Sequence, residues 1–415
     1  MSRAGIRDSV IIVLLGTLVR LQLFFMFDYK NDLYTGDSTN YLDIGRNIME
    51  YGVHGTNTTA TFFRPPLYSF FAGVIANASE TAAFFYIVQS TLFISFAVAV
   101  YFLLCRYGVK LAFLSALLIA ASPFDALMNG RVMTENLVTP LLVLGTLVFV
   151  NSDKYKVRFF ISGALLGGAA LSRDIYLLFP VFLLVAAFYM KIGWRHQVMF
   201  VLGFVLLVAP WSYRNSQLPS GGLFLSKGIL WTNLWIGAWE QDAAWTVPPH
   251  PYSLPPEAFL TFDDGNSPTT VANAYADRDE TFFRRITIDY MLRYPLKVLQ
   301  AWGTRYPLLW FGTRLDTNTT YLISGGFPWY LMKVLFYLMN ALVVIFGTLG
   351  LIVSFRFDKL PLFLCLPIIY NSLIYIPFHN IEQRYSLPVM PLLIIYSSLF
   401  TLYAVEKYKS TRGAR

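Results

Sequence analysis

Four acids and three arginines in this chain sit where a phosphate ester could be handled: Asp37, Glu135, Asp174 and Glu382, with Arg64, Arg173 and Arg384. They lie at the ends of apolar stretches, where each polar connection carries an acid and an arginine: Asp37 with Arg64, Arg131 with Glu135, Arg173 with Asp174, Glu382 with Arg384. Acids and arginines at the mouths of membrane helices are costly unless paired or functional. The guanidinium fork matches phosphate oxygens. A carboxylate beside that phosphate can serve as a general base or as a metal ligand. The pattern describes a site for a membrane-anchored phosphate ester and a polar acceptor.

The richest of these connections runs from Asp28 to Tyr68 and also holds Asp32, Asp43 and Glu50. Its middle predicts a short helix. Asp37 or Ser38 can cap the first turn and Gly52 can end it. Tyr41, Ile44, Ile48 and Tyr51 recur at helical spacing as one apolar stripe, with Asp43, Asn47 and Glu50 on the wet side. That suits a helix lying flat on a bilayer surface. Arg64-Pro65-Pro66 then fixes the backbone and presents one cation at the membrane boundary. The segment Leu67–Ala78 is too short to cross comfortably and is expected to dip or lie at the interface.

The elements that must position these residues are membrane helices. The chain of 415 residues is 56% hydrophobic and 13% charged, against roughly 25% charged in soluble domains. Apolar runs predict ten spans near 8–27, 81–104, 111–124, 134–150, 158–172, 175–191, 197–213, 328–354, 360–377 and 385–404. The fold class expected is an all-α polytopic membrane bundle of about ten to eleven spans, with interfacial helices in the first outer loop and a mixed outer region. The domain organisation expected is a membrane module over 1–213 with the loop 28–80, an outer region over 214–327, and C-terminal spans with a tail over 328–415. No small-residue cleavage site follows the first apolar run, so it is expected to be retained. Two cysteines, Cys105 and Cys365, imply no disulfide framework.

Charge gives the expected sidedness. One alternating set of connections carries fifteen Lys and Arg against four acids, a net of +11, and leaves −3 for the rest of a chain whose total is +8. This is the positive-inside pattern. It puts both termini in the cytoplasm and the acidic first loop on the outer face, and it accounts for the excess charge without nucleic acid. A compact chain of this kind points to a bacterial or archaeal cell membrane.

The long outer region opens with Trp231, Trp235, Trp239 and Trp245, which suit interfacial packing or a sugar-stacking surface. Pro248–Thr270 reads as loop, and Asn273–Trp310 as an amphipathic helix interrupted at Pro295 and ending before Leu308. His54, His250 and His379 lack metal-ligand spacing and take no role. Arg20, inside the first span, calls for a partner among the loop acids. The site residues have structural alternatives: Asp37 as a helix cap, Arg64 as a snorkelling side chain, Arg173–Asp174 as a pair within one tight turn, Glu382–Arg384 as an anchor for the last span.

Gly36-Asp37-Ser38-Thr39-Asn40-Tyr41 through Asn47, then Gly52 and Arg64-Pro65-Pro66-Leu67-Tyr68, resembles the first outer loop of GT-C glycosyltransferases. The pattern is most similar to bacterial transferases of the protein O-mannosyltransferase and lipid A aminoarabinose transferase type. Thr134-Glu135 opening a span, Ser172-Arg173-Asp174 where the family often has Arg-Pro-Glu, and Glu382-Gln383-Arg384-Tyr385-Ser386-Leu387-Pro388 before the last span extend the resemblance. It implies inverting transfer of a sugar from a polyprenyl-phosphate donor to a lipid, glycan or protein acceptor. It implies Asp37 as the catalytic base and Arg64, Arg173 and Arg384 as cations for the donor phosphate. Tyr41, Glu135, Asp174 and Glu382 are left to orient those groups or position the acceptor. Asp37, Glu135 and Asp174 are also the candidates for a divalent metal, on which relatives differ. Two other readings stay open: an oligosaccharide ligase or polymerase using a diphosphate carrier, and a flippase or transporter for such a lipid. The lack of visible internal repeats and the rim position of the ionisable residues favour surface chemistry over transport.

Overall fold

The structure is a computed structural model, which describes residues 3–26, 36–56, 59–152, 155–219, 221–227, 230–239, 280–311, 329–357, 362–378 and 383–413. Asp28, Asp32, Trp245, His250, His379, Glu382 and the predicted loop over 248–270 lie outside the described residues. The helices are α1 (Arg3–Met26), α2 (Asp37–Tyr51), α3 (Pro66–Ala78), α4 (Ala82–Leu104), α5 (Val109–Ala120), α6 (Pro123–Met128), α7 (Glu135–Val150), α8 (Lys156–Ser172), α9 (Phe179–Tyr189), α10 (Trp194–Ser216), α11 (Leu230–Trp239), α12 (Glu280–Arg293), α13 (Pro295–Trp310), α14 (Trp329–Phe357), α15 (Leu366–Tyr375) and α16 (Met390–Gly413). A two-residue antiparallel ribbon, β1 (Gly55–Thr56) and β2 (Thr59–Ala60), pairs Gly55 with Ala60.

The described parts of all ten predicted spans fall largely on helices, and among the described residues six helical segments are long and apolar enough to cross a bilayer. The segments Glu135–Val150, Asp174–Tyr189 and Phe363–Tyr375 are shorter apolar helices. The chain is an integral membrane protein of the all-α polytopic class. One apolar core runs through the bundle from Ile12 on α1 to Tyr396 on α16. Water cannot drive helices together inside lipid, so close backbone approach must. Small residues supply it. A Cβ on Gly163 of α8 would collide with the Phe200 carbonyl of α10, and one on Gly203 with the Phe160 carbonyl. Gly350 on α14 meets the Tyr396 carbonyl of α16 in the same way.

The face that α2 buries is set by another helix. α2 packs against α3, and the contact is made by two glycines: a Cβ on Gly45 would sit 2.6 Å from the Ser69 carbonyl oxygen and 2.7 Å from the Gly73 nitrogen. The buried face of α2 therefore holds Ser38, Tyr41, Leu42, Ile44, Gly45 and Asn47, while Tyr51 is exposed. Asn47 is turned inward because its side-chain amide donates to Val53 O at 2.7 Å, closing the turn after the helix. Gly52 ends α2 in the left-handed region, φ 68°, as its type requires.

A buried polar network pins the connection between α5 and α7. Arg20 on α1 donates to Asn129 Oδ1 at 3.0 Å and to the Ala120 carbonyl at 2.6 Å. Asn129 donates to Asn136 Oδ1 at 2.9 Å, and Asn136 donates to the carbonyls of Met128 and Arg131. Gln89 donates to the carbonyls of Asn129 and Arg131 and accepts from the Tyr68 hydroxyl at 2.9 Å. Buried polar groups of this kind fix one arrangement because leaving any of them unpaired is costly. The network ties α1, α3, α4 and the start of α7 into one frame.

Outside the bundle, Trp235, Phe283, Ile286, Tyr290 and Val298 of α11, α12 and α13 form a separate apolar cluster. The interruption at Pro295 is present. Helix α13 continues through Pro307 to Trp310 instead of ending before Leu308. Trp235 packs edge-on against Tyr290, so this tryptophan is a packing residue.

Candidate active site

Four distant segments meet at one cluster of charges. The Asp37 carboxylate accepts from Arg64 Nη2 at 2.5 Å through one oxygen and from Arg384 Nη2 at 3.0 Å through the other. Arg64 also donates to the Tyr41 hydroxyl at 3.2 Å, and its guanidinium lies 4.9 Å from the Tyr41 ring centroid and 5.0 Å from that of Phe63. Arg384 Nη1 contacts Met133 Sδ at 2.9 Å. Beside this centre, Arg173 Nη1 donates to Glu135 Oε1 at 2.6 Å, and Glu135 is 3% exposed. The Tyr385 ring lies between the two centres, 4.7 Å from the Arg173 guanidinium and 5.5 Å from that of Arg384.

The local causes are readable. Gly36, at φ 55°, takes the position before the first turn of α2, and no side chain caps it. Asp37 is thus the first helical residue and its carboxylate is spent on arginines; Ser38 Oγ is buried and has no hydrogen-bond partner among the described residues. The helix-cap alternative for both residues is therefore replaced. Arg64 is carried on the segment before Pro65, which enters α3 in an extended conformation with φ −62° and ψ 151°. That segment is anchored by Arg214 at the end of α10, which donates to the carbonyls of His54 at 3.1 Å and Thr61 at 2.8 Å. The Arg214 guanidinium packs 4.6 Å from the Trp211 ring, and His54 packs on the same ring at 4.7 Å. Lys227 N donates to Phe62 O at 3.1 Å from the other side.

Asp37, Tyr41, Arg64, Glu135, Arg173 and Arg384 come together as the sequence suggested. Asp174 does not pair with Arg173. Its carboxylate accepts a hydrogen bond from Ser226 Oγ, while Arg173 crosses to Glu135. The tight-turn pair is thus divided between two neighbours. Glu382 lies outside the described residues. Tyr375, Tyr385, Met133 and Arg214 are additions that sequence reasoning missed. Of these, only Tyr385 carried a signal, as the neighbour of Arg384.

Charge sets the state of Asp37. Burial pushes its carboxyl up, but the guanidiniums of Arg64 and Arg384 outweigh that and hold it below the ordinary carboxylate value. It is ionised at neutral pH. A divalent metal needs several oxygen ligands converging on one point. Among the described residues no three His, Cys, Asp or Glu side chains converge in that way. Asp37 and Glu135 hold arginines and Asp174 holds a serine, so these three acids do not fit a metal site.

Known structures share this architecture. The archaeal oligosaccharyltransferase AglB from Archaeoglobus fulgidus, in complex with an inhibitory peptide and a dolichol-phosphate, matches with a TM-score of 0.56 and 15% identity, over 100% of this chain and 52% of that one. The Archaeoglobus fulgidus oligosaccharyltransferase tethered to an acceptor peptide containing the NVT sequon matches with a TM-score of 0.53 and 13% identity, over 98% and 51% of the two chains. ArnT from Cupriavidus metallidurans bound to undecaprenyl phosphate matches at 0.43 and 14% identity, over 96% and 77%, too loosely to define a fold. No protein-family model matches the chain, and no curated protein sequence matches it. The chain has the fold of these two oligosaccharyltransferase structures. The chain spans about half the length of the oligosaccharyltransferases it matches.

Proposed function

We propose that the chain is an integral membrane glycosyltransferase. It moves a sugar from a polyprenyl-phosphate donor to a lipid, glycan or protein acceptor on the outer face of the membrane and inverts the anomeric carbon. The observation that carries this reading is the Asp37 carboxylate held between Arg64 and Arg384. A carboxylate and a phosphate present similar pairs of oxygens to a guanidinium. A cleft that holds one between two arginines can accept the other. Arg64 also keeps a buried Nε with no partner among the described residues, a donor still available to a third oxygen.

Chemistry follows from the exchange. Donor phosphate takes the two guanidiniums and releases Asp37. The cations that held its carboxyl down are then neutralised by the phosphate, so its basicity rises. Asp37 takes the proton of the acceptor hydroxyl or amine as that atom attacks the anomeric carbon. The bond to the phosphate oxygen breaks with its electron pair, and the phosphate leaves as an anion on Arg64 and Arg384. Attack opposite the leaving group inverts the centre. The positive-inside charge distribution supports the outer position of this cluster and cytoplasmic termini. The separate α11–α13 cluster supports an outer region over 214–327, between membrane modules 1–213 and 328–415.

The test uses purified protein in nanodiscs, a panel of radiolabelled polyprenyl-phosphate sugars and membrane extract as acceptor. Sugar transfer or donor hydrolysis by the wild type, absent in Asp37→Asn, supports the reading. Equal activity in Asp37→Asn, or a wild type that turns over no donor of the panel, overturns it.

A further inference from the structure

We infer that Tyr375 is a sugar-recognising residue, and that with Tyr385, Glu135 and Arg173 it forms a subsite for an uncharged, hydroxyl-rich sugar beside the phosphate position. The inference rests on the reading of Arg64 and Arg384 as the phosphate end.

The rings of Tyr375 and Tyr385 stack at 4.8 Å and 13°, nearly parallel. Arg173 lies 5.7 Å from the Tyr375 ring and 4.7 Å from the Tyr385 ring. Tyr375 is 3% exposed, and its hydroxyl has no hydrogen-bond partner among the described residues. Its neighbours differ. Tyr176 donates to Asn371 Oδ1 at 2.8 Å, Tyr370 donates to the Ile175 carbonyl, and Tyr68 donates to Gln89 Oε1 at 2.9 Å. An unmade hydrogen bond at a buried hydroxyl is costly and calls for a reason. Tyr375 sits where the apolar core meets the site: its ring belongs to the core cluster, and the Arg173 guanidinium lies against it.

The two centres differ in what they can hold. Arg64 and Arg384 share the single charge of Asp37 and leave an excess of positive charge, which suits phosphate. Arg173 and Glu135 form a one-to-one pair that offers donors and acceptors with no net charge. Neighbouring sugar hydroxyls, each both donor and acceptor, match such a pair. Glu135 Oε1 and Oε2 accept from Arg173 and from Thr134 Oγ1 at 3.2 Å, and a carboxylate has lone pairs beyond those two bonds. The Tyr375 hydroxyl adds one more donor at the same place. Tyr385 joins the halves, because Arg173 and Arg384 both pack on its ring. A sugar and its phosphate are adjacent in the donor, as these centres are in the protein.

The test is Tyr375→Phe, which deletes the hydroxyl and keeps the stacked ring. Binding to wild type and variant in nanodiscs is measured for undecaprenyl phosphate and for undecaprenyl phosphate carrying mannose, glucose, galactose or arabinose. The expected result is that at least one sugar-bearing donor binds the wild type more tightly than bare undecaprenyl phosphate. Tyr375→Phe loses that advantage, about tenfold, while bare-phosphate affinity and melting temperature hold. If both probes weaken equally, or the melting temperature falls, the hydroxyl serves the phosphate or the fold and the inference is overturned. If the sugar advantage survives in the variant, or the wild type shows none, the inference is overturned while the phosphate reading stands. If the wild type binds no probe at all, the proposed function falls and the subsite with it.

Discussion

Arg384 reaches back across 347 positions of chain to place Nη2 3.0 Å from Asp37 Oδ2. This bond joins the segment before the last helix to the start of α2. It shares its carboxylate with Arg64, and the three side chains are 16%, 32% and 15% exposed for Arg384, Asp37 and Arg64. Solvent screens such a cluster less than it screens a surface ion pair. The geometry is a divided clamp: one acid, two forks, and a Tyr41 hydroxyl that also accepts from Arg64.

Replacing Arg384 by Lys keeps the charge and removes the fork. Sugar transfer is expected to fall by roughly a hundredfold or more, the scale seen when one donor to a developing anion is lost. Arg64→Lys is expected to behave alike. Initial transfer rates on purified variants check this, with melting temperature as the control for folding. Rates within a few fold of the wild type would contradict it.

Glu135→Gln leaves Arg173 buried without its counter-charge. Breaking a buried pair in this way costs about 3–5 kcal/mol. Glu135→Gln is therefore expected to melt well below the wild type in detergent. The double variant Glu135→Gln with Arg173→Met is expected to regain part of that stability without regaining transfer. A single variant as stable as the wild type would show the pair to be dispensable.

The α2–α3 contact gives a packing prediction. Gly73→Ala places a Cβ against the Gly45 carbonyl, where only backbone can yield. The helices must separate, and Asp37 on α2 shifts against Arg64, which precedes α3. Transfer is expected to fall more than stability does. Gly303→Ala meets no atom within 4 Å and serves as the control. Equal activity in the two variants would refute the coupling.

His54 gives a pH dependence. Burial pushes its imidazole down to about 4, from an ordinary value of 6.5. The unfolded chain therefore binds a proton before the folded one does. Stability is full above pH 6.5, falls as pH drops from there toward 4, and levels off below that. The span corresponds to roughly 3 kcal/mol. Melting temperature measured from pH 7 to 4.5 is expected to decline in the wild type, and His54→Phe is expected to flatten that decline. Asp37, held below the ordinary value, adds a further loss only at more acidic pH.

Much of this was legible in the sequence because membrane helices are specified by long apolar runs, and the described parts of the ten predicted spans fall largely on helices. The meeting of Asp37, Arg64, Glu135, Arg173 and Arg384 was legible because each marked the mouth of a span. What failed was pairing. Arg173 and Asp174 are adjacent in sequence, yet an extended backbone at Arg173, φ −151°, separates them, one toward Glu135 and one toward Ser226. The stripe on α2 assigned Tyr51 inward and Asn47 outward because it assumed a lipid surface as the partner. The partner is α3, and Gly45 with Gly73 sets which face is covered. The Tyr375–Tyr385 stack left no trace, since ring geometry across ten positions has no sequence period.

The central claim is that Asp37 and the donor phosphate compete for the same two arginines. Its most direct test is the affinity of bare undecaprenyl phosphate for Asp37→Asn against wild type in nanodiscs. Removing the competing carboxylate charge is expected to leave binding unchanged or tighter while transfer is lost. Weaker binding in Asp37→Asn would show that the carboxylate organises the phosphate site instead of yielding it, and would contradict the account.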